Sequence, residues 1–527
     1  MISMNLTPTA GNQLPLVLTL HEDDELLYNS PHSEWYRILK DLPNEDYQEI
    51  AADYYNFLHH FNLEQRATNK QNLSPNDESK DEARQRLLFN RTTMNEDKPV
   101  LHEMPAVPEF EALVTPSMVA PGITPNWGAG KKPKCFFALL KSFIGASLMG
   151  FPSEPEKVHD LLSSNMSFVR VCGFIPKDED EQYWYKHVPS LRKLEQFDQI
   201  MTRYGLWEKC KQLEIIENIC TGVIQEENTM VGDTYHCYGY SGFEVVEYID
   251  ENGKKAKKSQ AKTTKNCRCK DRESCPHVWE LADEGAGTIV KAHHKFIWGH
   301  KASIIGLPLQ GIPLDAVAVA DAATHDGETF FPHVVKLFED YPILTYWINT
   351  ALYDGACDCH KLKAQFEETL GITLKTSLNP RRRKTVTDLP QKGMEKMTPY
   401  GTLVCKGGFE MDFKGARYSH EVFIYGAPIC DGENVCLSCE YKPTCCPNAN
   451  TGRTVQIPFD ILPHINPTDP PMAKRFKALM TRRPSIERMI KRLKCDLGDD
   501  RLTKRSNDSF QAYLDKTMIA FHILLRN

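Results

Sequence analysis

Apolar and polar positions divide the chain into an early helical part and a later part that alternates strands and helices. Acidic and aromatic residues recur at helical spacing in residues 1–63, as in Glu34 to Leu42 and Tyr47 to Phe61. The longest apolar run, Cys135 to Met149, predicts a buried helix because it is too short to cross a bilayer. Pro189 to Leu206 predicts a further helix of the same region.

From residue 228 onward the pattern indicates a sheet with helices. The predicted strands are Asn228–Tyr240, His294–Ile305, Leu314–Ala320, Ile343–Leu352 and Ile372–Thr376. Helices are predicted at Glu328–Phe338 and Cys359–Leu370, and an amphipathic one at Phe510–Leu525. The order is therefore three strands, helix, strand, helix and strand, followed by late helices, which predicts a mixed α/β domain.

The stretch from Met480 to Lys494 predicts one of these late helices. Charged residues fall on one side of this helix: Arg483, Glu487, Lys491 and Lys494. Apolar residues form a flank that can be buried: Ile486, Met489, Ile490 and Leu493. Helical pattern alone favours the simpler interpretation of the charged side, a face exposed to solvent.

Two aspartates occupy positions in the strand pattern that need an explanation. Asp233 lies inside the first strand, where Asp is unfavourable. Asp354 directly follows the fourth strand, before Gly355 and a helix, where a metal site on an α/β sheet is expected. The simpler interpretation of Asp233 is an edge-strand side chain that faces water.

The spacing of Arg483, three residues, Glu487, six residues and Lys494 resembles the signature around the catalytic glutamate of DDE transposases from bacterial insertion sequences. The likeness is to the superfamily of the IS-four, IS-five and IS-eleven-eighty-two types. Where that family has Tyr three positions before the Arg, this chain has Met480. The resemblance covers about residues 133–527, and it predicts two upstream aspartates at strands, a role that Asp233 and Asp354 fit.

The resemblance implies an α/β fold with an RNase H-like mixed-sheet catalytic domain that carries insertions, preceded by an N-terminal helical domain. The expected division is an N-terminal helical region at 1–63, a flexible linker or insertion at 64–132, a helical DNA-binding domain at 133–225 and a catalytic domain at 226–527 with insertions at about 241–292 and 377–475.

The activity that the resemblance implies is cleavage of the terminal inverted repeats of an insertion sequence and transfer of the 3′-hydroxyls to target DNA. Asp233, Asp354 and Glu487 would hold two Mg²⁺ or Mn²⁺ ions, since such ions prefer oxygen ligands. The partners would be double-stranded DNA and a second copy of the chain in a homodimer. Two alternatives remain: a catalytically inactive DNA-binding protein of transposase origin, and a metal-dependent nuclease that does not join strands.

Clustered basic residues are the candidates for DNA contact, since the formal net charge of −7 does not by itself indicate a nucleic-acid binder. Besides Arg483, Lys491 and Lys494, they are Lys254, Lys255, Lys257 and Lys258 in the first insertion, Arg381, Arg382 and Arg383 in the second, and Arg192, Lys193 and Arg203 in the helical region.

Seventeen cysteines in a chain with no recognisable secretion signal favour thiols or metal sites over disulfides. The stronger candidates for a structural Zn²⁺ site are Cys430, Cys436, Cys439, Cys445 and Cys446, with the four ligands undecided. Cys267, Cys269, Cys275 and His277 form a second candidate set, with free cysteines as the alternative. The sequence predicts a cytoplasmic, nucleoid-associated protein that does not enter a membrane.

Overall fold

A computed structural model of the chain describes residues 26–30, 33–72, 112–125, 132–175, 181–240, 242–249, 253–265, 279–292, 295–379, 384–427, 429–430, 433–448, 450, 452–498 and 501–527. The chain divides into two compact units. Within the described ranges, the first unit holds the residues up to Glu64 and those from Glu109 to Met201, and the second extends from Thr202 to Arg526. This division lies earlier than the sequence-based boundary at 225–226.

The first unit is helical. Its helices are α1 (Glu34–Asp41), α2 (Gln48–Asn72), α3 (Phe136–Leu148), α4 (Pro155–Ser164), α5 (Met166–Cys172) and α6 (Leu191–Arg203), of which α2 and α6 extend past the unit's limits. Helix α3 confirms the predicted buried helix, because every residue from Phe136 to Ser147 is buried. Tyr54, Phe136 and Phe197 form an aromatic cluster with ring centroids 5.1–5.9 Å apart.

The second unit is mixed α/β. Its first ten strands are β1 (Thr229–Tyr238), β2 (Phe243–Ile249), β3 (Lys255–Ala261), β4 (Thr263–Lys265), β5 (Trp279–Leu281), β6 (Gly287–Ala292), β7 (Lys295–Leu307), β8 (Ile312–Ala318), β9 (Thr350–Tyr353) and β10 (Thr373–Thr376). The hairpins β2–β3 and β4–β5 lie in the predicted first insertion. Strand β6 also lies within the predicted bounds of this insertion, but it pairs with β7 in the central sheet.

The central sheet has the strand order β10-β9-β1-β7, and β7 pairs on its other side with β6 and β8. Strand β1 is antiparallel to β7 and parallel to β9, which is parallel to β10. Since β8 is antiparallel to β7, it has the same direction as β1. Four strands therefore share one direction, and their carboxyl ends meet at one side of the sheet.

The second unit contains eight named helices within the described ranges. They are α7 (Leu206–Cys220), α8 (Asp326–Asp340), α9 (Leu344–Trp347), α10 (His360–Leu370), α11 (Lys442–Cys445), α12 (Lys474–Met480), α13 (Ser485–Lys491) and α14 (Asn507–Arg526). Of these, α8, α9 and α10 lie between strands of the central sheet in sequence. Helix α14 packs on α7 and on β8. Within the described ranges, no helix is both long and apolar enough to cross a membrane.

A buried ionic cluster joins three of these elements. The Lys211 ammonium of α7 donates to Asp315 of β8 at 2.6 Å and lies 2.9 Å from Asp515 of α14, and the three side chains are at most 3% exposed. Burial by itself raises the pKa of Asp315, but Lys211 and the bond from His333 overcome it and hold that pKa well below its ordinary value.

The predicted second insertion contains a small β core of its own. Its strands are β11 (Met394–Met397), β12 (Leu403–Cys405), β13 (Asp412–Arg417), β14 (Val422–Gly426), β15 (Ile429–Cys430), β16 (Glu433–Asn434) and β17 (Val455–Pro458). Strands β13, β14 and β17 form one sheet, and β11 and β12 form a hairpin. Their inward residues, such as Met397, Phe423 and Ile457, are fully buried together.

Two predicted elements differ from the structure. The strand predicted at Ile343–Leu352 is wrong for most of its length, because Leu344–Trp347 is a short helix and only Thr350–Tyr353 pairs in the sheet. The single helix predicted from Met480 to Lys494 is divided: residues 481–484 form a turn, α13 begins at Ser485, and Arg492–Asp496 is a π-helical segment. Pro484 explains the division, since proline favours the start of a helix.

Candidate active site

Asp233 lies in the middle of β1, with its side chain 17% exposed. Its Oδ1 accepts a hydrogen bond of 2.8 Å from the backbone N–H of Thr234. The preceding residue, Gly232, lies against the ring of Phe330 in α8, and any side chain there would collide with that ring. Helix α8 can therefore pack closely on this face of β1, whereas the Asp233 side chain points to the opposite face, where Arg483 contacts it.

Asp354 follows β9 directly, at the carboxyl end of the strand that pairs in parallel with β1. The parallel register pairs Val231 with Leu352, and its continuation by two residues aligns Asp233 with Asp354. Oδ1 of Asp354 accepts from the N–H of Ala356 at 2.8 Å, which caps the turn that follows the strand. Two carboxylates on neighbouring strands therefore have fixed positions on the same sheet.

The side chain of Arg483 links Glu487 of α13 to Asp233 of β1. The Arg483 guanidinium donates to Oδ2 of Asp233 at 2.7 Å and to Oε1 of Glu487 at 2.9 Å. The Glu487 side chain is 62% exposed, whereas Arg483 is 20% exposed. The structure thus brings the predicted acidic residues of β1 and α13 to one site, with a cation between them.

The apolar flank of α13 holds the helix on the sheet. Ile486, Met489 and Leu493 are at most 1% exposed, as the sequence pattern predicts. Helix α13 contacts β1, β7 and β8. Gly306 of β7 provides the space, since a methyl group there would lie 2.5 Å from Sδ of Met489.

Lys494 has a structural contact in this arrangement. Its ammonium donates to the backbone carbonyl of His236 in β1 and lies 4.8 Å from the centroid of the Tyr235 ring. Lys491 is exposed. Of the basic residues in the signature, Arg483 and Lys494 therefore both bond to β1, and Lys491 faces solvent.

The electrostatics of the site centre on Asp233. Burial raises the pKa of Asp233, and the nearby negative charges of Asp354 and Asp326 raise it further. The Arg483 guanidinium and the Thr234 N–H act in the opposite direction, but the net pKa lies above the ordinary value. The site is therefore an acidic cluster that a cation stabilises.

Asp326 is a fourth carboxylate near this site, and the sequence analysis did not select it. It begins α8, and its Oδ1 lies 3.1 Å from the Lys301 ammonium, which also donates to the carbonyl of Thr324. The available signal was its position after β8, a buried strand that has the same direction as β1. Acidic residues that follow such strands meet at the same side of the sheet.

The other DNA-contact candidates lie on separate elements. Lys254, Lys255 and Lys257 are exposed on the β2–β3 hairpin, and Lys257 forms a 3.0 Å ion pair with Glu247. The side chain of Lys258 and residues Arg381, Arg382 and Arg383 lie outside the described part. Arg192, Lys193 and Arg203 are exposed on α6.

The cysteine candidates are partly described. Cys436, Cys439, Cys445 and Cys446 are half-buried free thiols that line one cavity. The side chain of Cys430 is not described, and Cys267, Cys269, Cys275 and His277 lie outside the described residues.

Three carboxylates supply the oxygen ligands that Mg²⁺ and Mn²⁺ prefer, and the buried Asp233 has a cation as its partner. Across the described residues, no three His, Cys, Asp or Glu side chains stand close enough together to hold a metal ion as they are. Arg483 lies between two of the carboxylates, so ion binding requires this side chain to move.

Two comparisons of the sequence with known proteins found no match. No family model matches the chain. A search of curated proteins likewise found no match.

Proposed function

We propose that the chain is a DNA transposase of the DDE type, with an RNase H-like catalytic domain. The observation that carries the proposal is the Arg483 guanidinium, which bonds both Asp233 of β1 and Glu487 of α13, while Asp354 follows the strand that pairs in parallel with β1. These are the acidic residues that the sequence signature predicts.

The strand arrangement supports the fold assignment. An RNase H-like sheet has three antiparallel strands followed by two more that lie beside the first and parallel to it. Here β1, β7 and β8 are successive antiparallel neighbours, and β9 and β10 continue the sheet on the other side of β1. Helix α8 precedes β9 and α10 precedes β10, as such connections require.

The chemistry of the site fits phosphodiester cleavage and strand transfer. Asp233 and Asp354 would hold the divalent ions, and Glu487 would complete their ligands. When bound, the two ions supply an activated water or 3′-hydroxyl and stabilise the leaving oxygen. The fixed aspartates supply pre-positioned charge, because Thr234 and Ala356 hold one oxygen of each by a backbone N–H.

Arg483 can bind either the carboxylates of the site or a phosphate of the DNA. Its guanidinium neutralises Asp233 and Glu487 in the structure, and the same planar donor group binds a phosphate by paired hydrogen bonds. We propose that it transfers to a phosphate of the DNA end when divalent ions bind. Lys494 would keep its bond to His236, so its contribution is to hold the π-helical segment on β1.

The test is an assay of cleavage and joining with purified full-length protein, the DNA that flanks its gene as the end substrate, a target plasmid, and either Mg²⁺ or EDTA. We expect metal-dependent nicks at the ends and joined products with wild type, and neither with Asp233→Asn, Asp354→Asn or Glu487→Gln. Glu368→Gln, an exposed glutamate of α10, is the matched control and should retain full activity.

The other outcomes distinguish the alternatives. Cleavage without joined products would indicate a metal-dependent nuclease. Specific binding of the ends without cleavage, in wild type and variants alike, would indicate an inactive DNA-binding protein. Activity that survives Glu487→Gln would remove Glu487 from the site and refute the proposal in its present form.

A further inference from the structure

Five cysteines line one small cavity in the second insertion. They are Cys405, Cys436, Cys439, Cys445 and Cys446. The cavity has a volume of about 20 Å³, which is room for about one water-sized occupant. Cys405 belongs to β12, so the cavity joins the β11–β12 hairpin to the cysteine-bearing segment that follows β16.

Two glycines give the sulfurs their space. A methyl group at Gly393 would lie 2.5 Å from Sγ of Cys445, and one at Gly407 would lie 3.1 Å from Sγ of Cys439. Arg453 donates to Sγ of Cys445 at 3.1 Å. This contact fixes the Cys445 side chain at the edge of the cavity.

The segment that carries four of these thiols has no apolar core of its own. None of residues 434–448 is buried, and its regular structure amounts to a 3-10 turn and the four-residue helix α11. The buried core of the insertion lies in the flanking strands instead, with Cys445 packed against its edge. A segment of this kind requires another source of stability, and a structural metal provides one.

We propose that the cavity binds one structural Zn²⁺ through the thiolates of Cys405, Cys436, Cys439 and Cys445. Four thiolates form a closed tetrahedral site for one zinc ion. Cys445 is chosen over Cys446 because it packs against the core and contacts Arg453. Binding displaces the thiol protons to solvent.

The described sulfurs do not converge on a common point as they stand. A χ1 rotation moves a cysteine sulfur to another staggered position, and such rotation is part of the proposal. The zinc would tie the segment of residues 434–448 to the β11–β12 hairpin. This role is independent of the proposed transposase activity, so either proposal can fail without the other.

The first experiment measures zinc by mass spectrometry in purified, dialysed full-length protein. All variants carry Cys267→Ser and Cys269→Ser, which remove the other zinc candidate. We expect about one zinc per chain, retained in Cys446→Ser and in Cys220→Ser, an exposed thiol on α7 that serves as the control. Cys405→Ser and Cys436→Ser should each lose the ion. Equal zinc in Cys405→Ser and Cys220→Ser would overturn the ligand set.

A second experiment does not depend on the variants folding. In the Cys267→Ser/Cys269→Ser protein, zinc is removed by a chelator under reducing conditions and replaced by Co²⁺. We expect strong sulfur-to-cobalt charge-transfer absorption. Zinc removal should also loosen the segment of residues 434–448 and so speed cutting of the chain by chymotrypsin after the exposed Tyr441, until zinc is restored. Absence of the absorption together with unchanged cleavage would refute the site, and stoichiometric iron in its place would refute the choice of zinc.

Discussion

Arg483→Gln tests whether the guanidinium occupies the position of a divalent ion. In the structure Arg483 bonds Asp233 at 2.7 Å and Glu487 at 2.9 Å. A divalent ion must break at least the first of these bonds to reach the carboxylates. Glutamine has no positive charge, so the variant should bind the ion more tightly in the absence of DNA.

The expected gain follows from the exposure of the partners. A hydrogen bond to a charged group contributes about 1.5–3 kcal/mol. Asp233 is 17% exposed and retains most of this energy, whereas Glu487 is 62% exposed and contributes little because water screens it. A total of about 2–3 kcal/mol corresponds to roughly 30- to 150-fold tighter binding.

Mn²⁺ binding to the DNA-free protein is measured by the loss of the free-ion signal in electron paramagnetic resonance. Arg482→Gln is the matched control, since its Nη1 reaches the hydroxyl of Thr229 at 3.5 Å and no carboxylate. Tighter binding in Arg483→Gln should disappear when Asp233→Asn is added. Equal affinities for wild type, Arg483→Gln and Arg482→Gln would refute the reasoning.

Three further predictions concern other charged groups of the second unit. Asp326→Asn should lower the rate of metal-dependent cleavage by about 10- to 100-fold, as substitutions around the direct ligands of a metal site do. Glu328→Gln in the same helical turn is the control and should leave the rate unchanged. Equal rates for the two variants would exclude Asp326 from the site. Lys211→Met leaves two buried carboxylates without their cation and should lower the free energy of unfolding by about 3–5 kcal/mol. Urea unfolding measures this against the exposed Lys361→Met, and a loss below about 1 kcal/mol would contradict it. Burial lowers the pKa of His522 from 6.5 to about 3, so the unfolded chain binds a proton at this residue below about pH 6.5 and the folded chain does not. The free energy of unfolding should therefore fall by about 2 kcal/mol between about pH 7 and pH 5 through this residue. His522→Gln should remove that part of the loss when urea unfolding is measured at both pH values.

Local patterns were sufficient to predict the elements that carry the candidate site. Alternation predicted β1 around Asp233, and helical spacing predicted the buried flank of α13. Each of these signals depends on residues close in sequence. The order of strands and helices predicted a mixed α/β domain, and the structure is of this class.

Contacts between distant segments could not be obtained in this way. Arg483 and Asp233 are 250 residues apart, and nothing in the spacing around either residue indicates their ion pair. Cys405 lies outside the cysteine-rich segment, and only the packing of the β11–β12 hairpin brings it to the cavity. The error at Ile343–Leu352 has a similar origin, because an apolar run of that length fits a strand or a short helix until its neighbours are known.

The three acidic residues of the candidate site are held in different ways, and Glu487 is the one whose position is least fixed. Asp233 and Asp354 each accept a backbone N–H within the sheet or its turn, so their positions follow from the strands. Glu487 is exposed, and its position depends on how α13 rests on β7. That contact is tight, since a methyl group on Gly306 would lie 2.5 Å from Met489 Sδ and 2.7 Å from the carbonyl oxygen of Ile312. The apolar flank of α13 therefore determines where Glu487 lies relative to the sheet, and a substitution that changes this packing should displace Glu487 more than the two aspartates.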